Sequence, residues 1–72
     1  MSREKIIRMA NQIALFMETK PHDEGVAGLA AHINDFWEPG MRARLLELLD
    51  GEADGLRPMV VESAPQIRRP PG

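Results

Sequence analysis

Apolar residues recur at helical spacing almost from the start of the chain. Ile6, Met9, Ala10, Ile13, Phe16 and Met17 form one broad stripe, flanked by Ile7 and Ala14. Ser2 is placed to cap this first helix, and Glu4 sits in its first turn, where the helix dipole favours acid. Leu15 breaks the pattern, falling about 180° from the stripe at 3.6 residues per turn. It is therefore a candidate partner contact as well as an ordinary exposed leucine. Asn11 and Gln12 flank the stripe, where an amide can bond a neighbouring backbone. Lys20-Pro21 ends the helix, because a residue before proline avoids the helical region.

A second helix is expected to start near Pro21 to Asp23 and run to the Glu38-Pro39-Gly40 break, with proline and Asp23-Glu24 suited to its first turn. Val26, Leu29, Ala30, Ile33, Phe36 and Trp37 make its apolar face. Gly25 and Gly28 lie one turn apart on its flank. Each costs up to about 1 kcal/mol relative to alanine, so both ask for a close backbone, of this chain or of a partner. Glu38-Pro39-Gly40 stops the helix and starts a third, with Met41, Leu45, Leu48 and Leu49 inward and Leu46 splayed to one side. Arg42 and Arg44 in its first turn oppose the dipole, which points to an acidic partner or a local pair with Glu38 or Glu47. Gly51 suits the helix end. A short fourth helix is expected from Arg57 or Pro58 to Ser63, closed by Pro65. Gln66 onward reads as an extended, cationic, polyproline-like tail.

The resulting expectation is an all-α fold: a small bundle of three helices plus a short fourth helix and an extended C-terminal tail. The domain is expected over 1–64 and the tail over 65–72.

Composition narrows the classes. With 72 residues and 43% apolar content, the chain has material for one thin core, of a kind that usually needs a partner, metal or disulfide. It has no cysteine, which removes disulfides and thiolate metal sites. No apolar run approaches the roughly 20 residues of a membrane span. The N-terminus leads into an amphipathic pattern rather than a signal-peptide core. The expectation is a cytoplasmic protein without a membrane partner. Net charge is −2, with an acidic middle between basic ends. This argues against nucleic acid, including a helix-turn-helix binder built on the Phe36–Arg44 break.

Catalytic chemistry is sparse. No phosphate-binding glycine loop is present, and the two serines fall at helix ends. His32 with Asp35 is only a fragment of metal-ligand spacing; a half-buried histidine beside the aromatic pair is the simpler reading. No catalytic, cofactor-binding or metal residue is assigned. The densest stretch is His32 to Arg42, which holds the only Trp, one of two Phe and one of two His. Trp37 fits a core position, and beside a Pro-Gly break followed by arginines it also fits an interface hot spot.

Three blocks carry a resemblance: Met9-Ala10-Asn11-Gln12-Ile13, the run from His32 to Arg42, and Ala64-Pro65-Gln66-Ile67-Arg68-Arg69-Pro70. Together they resemble the delta subunit of NAD-dependent, molybdenum- or tungsten-containing formate dehydrogenases. The likeness spans nearly the whole chain; Gly40 departs from it, standing where the family often carries a basic residue. The resemblance implies an accessory subunit without cofactors of its own. Its partner would be the large catalytic subunit, carrying bis-molybdopterin guanine dinucleotide and iron-sulfur clusters, in a complex with diaphorase subunits that bind FMN and NAD. Formate would be oxidised on that partner. A transient maturation or cofactor-insertion factor for the same enzyme is the alternative. Candidate partner-binding residues are His32, Trp37, Glu38, Pro39, Met41, Arg42, Leu15, Ile67, Arg68 and Arg69.

Overall fold

Residues 2–51 and 53–70 are described by a computed structural model. They form four helices: α1 (Arg3–Met17), α2 (His22–Phe36), α3 (Pro39–Asp50) and α4 (Pro58–Ser63), followed by a 3₁₀ turn, Ala64–Gln66. No strand occurs among the described residues. The all-helical fold read from the spacing is the fold observed, with each helix within a residue or two of its expected bounds.

The Ser2 hydroxyl accepts the Lys5 amide at 3.2 Å, as a helix cap should. Four residues, 18–21, then return the chain so that α2 packs against α1. The reason for Gly25 is found here. A Cβ at that position would lie 2.5 Å from the Met17 carbonyl oxygen. The close backbone that the glycine demands is the chain's own first helix.

The buried line of α1 is narrower than its apolar stripe. Ile6, Ala10 and Ala14 are fully buried, while Met9, Ile13 and Met17 pack at its edge. This line follows the i, i+4 row, and Phe16 lies roughly 120° from its centre at 100° per residue. Phe16 is therefore exposed rather than inward, contrary to the expected stripe. A similar correction applies to Phe36. It sits at the edge of the arc formed by Val26, Leu29, Ala30 and Ile33, and the core position beyond Ile33 is taken by Trp37 instead. Phe36 is 75% exposed and Trp37 only 6%.

In α3, Leu45, Leu46 and Leu48 are buried. Leu46 is expected to splay to one side of the inward face. It is covered because Ala64, Pro65 and Ile67 lie beside it, across a small recess that Asp50 and Arg69 also line. The segment after α4 thus lies on the bundle, and Ile67 is 5% exposed. Met59 and Val60 of α4 complete the core.

Asn11 ties the loop between α3 and α4 to α1. Its amide donates to the Gly55 carbonyl at 2.7 Å and accepts the Arg57 N–H at 2.9 Å. Gly55 has φ +86°, in the left-handed region that side chains disfavour. Arg57 also forms a two-pronged pair with Glu18, at 2.7 and 2.8 Å. That hydrogen-bonded guanidinium holds the Glu18 carboxyl below the usual carboxylate range. A depressed folded-state pKa stabilises fully above the unfolded value and is lost as pH falls through the folded one. Acid titration is therefore expected to erode stability below the ordinary carboxylate range. In Glu18→Gln this part of the acid limb should vanish. Thermal midpoints at about pH 7 and pH 3 check it; an unchanged pH dependence would show that the pair contributes nothing.

Candidate functional site

The α2–α3 corner is built on Trp37. Its N–H donates to the Ile33 carbonyl at 3.1 Å, and its backbone then turns extended, with φ −84° and ψ 138°. That turn sends the indole inward and ends the helix. The freed Trp37 carbonyl accepts Arg42 Nη1–H at 3.0 Å. Pro39 restarts the helix, and the Arg42 amide donates to the Glu38 carbonyl at 3.0 Å.

The C-terminal segment crosses this corner. Arg42 Nε donates to the Arg68 carbonyl at 3.2 Å. Asn34 Nδ2 donates to the Gln66 carbonyl at 3.0 Å, and its Oδ1 accepts the Arg68 N–H at 2.8 Å. Between those two residues Ile67 enters the core. Arg68 lies 3.8 Å from Asp35, and Arg69 pairs with Asp50 at 3.0 Å. The arginines of the tail and the corner are thus satisfied within the chain. Arg42 does not pair with Glu38; it reads two carbonyls, which is why it tolerates a place against the helix dipole. Arg44, by contrast, does pair with Glu47, at 3.1 Å.

What the corner leaves outside is apolar and aromatic. The His32 ring lies on Phe36 with centroids 4.8 Å apart and planes tilted by 36°. His32 is half-buried. On another side, Ile6, Glu38, Gly40, Met41 and Arg44 line an open groove of about 510 Å³. A Cβ added at Gly40 would touch nothing within 4 Å.

The candidate residues therefore separate. Trp37 and Ile67 are core. Arg42, Arg68 and Arg69 hold the tail. Glu38 and Pro39 are exposed and Met41 half-buried, on the groove side; His32 sits beside Phe36. Leu15 lies on α1, outside the corner, and is 53% exposed. The residues missed by the sequence reading are Phe36 as a surface group and Asn34 as the holder of the tail. Asn34 had a signal: an amide in the most distinctive stretch, next to a helix end. Among the described residues, no group of three or more His, Cys, Asp or Glu side chains is arranged to hold a metal ion. No helix there is long and apolar enough to cross a membrane.

Asn34→Ala removes both backbone bonds to the tail. Stability is expected to fall by about 1–2 kcal/mol, with faster proteolysis after Ala64. Limited proteolysis with mass mapping checks this; a wild-type cleavage rate would mean that Ile67 alone holds the segment.

Residues 5–64 match the family of the NADH-dependent formate dehydrogenase delta subunit, FdsD. The chain belongs to the FdsD family. The match covers most of α1 and all of α2, the corner, α3 and α4, so it takes in the first two blocks noted above and reaches only Ala64 of the third. No curated protein matches the chain. Membership of FdsD makes this chain a subunit of a formate dehydrogenase, and so part of a complex with other subunits. The exposed Phe36 ring, with half-buried His32 against it, and the groove beside Gly40 are features of an FdsD surface.

Proposed function

We propose that this chain is a non-catalytic accessory subunit that docks on the large catalytic subunit of formate dehydrogenase and stabilises it or assists its assembly, in the cytoplasm. The partner would carry bis-molybdopterin guanine dinucleotide and iron-sulfur clusters, and diaphorase subunits would bind FMN and NAD. Membership of FdsD supports this reading. The observation that carries the docking role is the exposure of Phe36, a large apolar ring stacked on His32 at the end of α2. An aromatic group placed there contributes little to the fold and offers a hot spot to a partner.

The test is co-expression with a tagged large subunit. Phe36→Asp is expected to lower recovery of this chain by about tenfold or more, with its helical content unchanged. Wild-type recovery of both Phe36→Asp and His32→Ala would remove the corner from the interface. Stoichiometric presence in purified active enzyme would favour a standing subunit over a transient maturation factor.

A further inference from the structure

A second surface runs along α1. Lys5, Arg8, Gln12 and Leu15 follow the alternating three- and four-residue spacing with which one helix lies along another. All four are exposed. The seam extends over about 15 Å of helix and is graded in character. Lys5 and Arg8 stand at one end. At the other, Leu15 is joined by Phe16, 61% exposed, with the Lys20 ammonium 5.3 Å from its ring centre.

The charges on this seam differ from those elsewhere. Arg44, Arg57, Arg68 and Arg69 each face a carboxylate of the chain, and Arg42 is spent on carbonyls. Arg3 also has a partner. Among the described residues, Lys5 and Arg8 form no ion pair. Glu4, on the flank, leaves the seam net positive. The fold engages its arginines elsewhere with carboxylates or carbonyls, but leaves Lys5 and Arg8 facing outward, and Lys20 meets only the Phe16 ring at the apolar end of the same face.

We propose that this face of α1 docks an acidic helix on another subunit of the formate dehydrogenase assembly, with carboxylates opposite Lys5 and Arg8 and an apolar recess for Leu15 and Phe16. The proposal rests on the accessory-subunit reading above. The cations steer and align the encounter, and the apolar end supplies burial. The apolar terminus and the few free cations fit such a helix better than a phosphate backbone, which rewards many cationic contacts.

The experiment uses the full chain, tagged and co-expressed with the formate dehydrogenase subunits. It compares wild type with the double variant Lys5→Glu/Arg8→Glu and with Leu15→Asp. Each variant is expected to keep its helical content and thermal midpoint, since the residues are exposed. The double variant is expected to weaken association by about tenfold or more. Wild-type association should also weaken as salt rises from about 0.1 to 0.5 M. If wild type is retained and both variants are retained equally, the α1 assignment falls while the accessory reading stands. If wild type itself is not retained, both fall. Concentration-dependent self-association abolished by Lys5→Glu/Arg8→Glu would make a second copy the occupant and overturn the proposal. So would binding to phosphatidylserine-containing vesicles without binding to the subunits.

Discussion

Replacing Trp37 with alanine is expected to cost about 3–5 kcal/mol, the range for truncating a large buried aromatic side chain. A chain of this length has a total stability of roughly 4–11 kcal/mol. The variant should therefore be largely unfolded or melt far below the wild type. The indole is 6% exposed and belongs to the core cluster that all four helices contribute to. It also fixes the turn whose carbonyl Arg42 reads, so its loss loosens the corner and the tail attachment together. Urea denaturation followed by far-ultraviolet circular dichroism measures the loss. A cost below about 1 kcal/mol would place the ring outside the core. It follows that Trp37→Ala cannot test an interface, because lost association would only report an unfolded subunit.

Gly25→Ala is expected to destabilise by about 1–3 kcal/mol, the cost of overpacking, despite the roughly 1 kcal/mol that alanine gains in a helix. The obstacle is backbone: the added carbon would stand 2.5 Å from the Met17 carbonyl oxygen and 3.0 Å from Met59 Cε. The methionine end can swing away, but the carbonyl can move only if α1 and α2 separate. Two other glycines serve as controls. At Gly28 the nearest atom is the Met17 sulfur at 3.0 Å, a flexible side chain, so alanine there should be close to neutral. At Gly40 nothing is near, so alanine should stabilise by up to about 1 kcal/mol. Thermal denaturation of the three variants gives the order directly. Equal effects at Gly25 and Gly40 would rule out the close helix approach.

The helices were legible because each has its own punctuation: Ser2, Pro21, Pro39 and Pro58 open them in register with the apolar spacing. Apolar periodicity was less reliable at helix ends. Phe16 and Phe36 both fit the average stripe, yet Phe16 points about 120° away from the buried row of α1, and the core position beyond Ile33 is taken by Trp37 in place of Phe36. Leu46 failed for a different reason. Its cover comes from Ile67, about twenty residues on, and nothing local to either residue announces the contact. Arg68 and Arg69 read as partner-binding cations, and Arg42 as either that or one half of a local pair with Glu38 or Glu47. Their partners are carbonyls and carboxylates brought near only by the folded tail. Of the two glycines read as asking for a close backbone, Gly25 has one in the Met17 carbonyl, whereas Gly28 faces only the flexible Met17 side chain.

The last described residues can also be regarded as a ligand that happens to share a chain with its receptor. Ile67 is the anchor in a pocket, Asn34 recognises the peptide units on either side of it, and Arg42 recognises the next carbonyl. A short tether raises such a ligand to an effective concentration on the order of millimolar. Contacts worth about 4 kcal/mol then put the site near the balance point between attached and released. One buried isoleucine and a few exposed polar contacts are of that size, so the attachment is held at a strength that small changes in either side can tip.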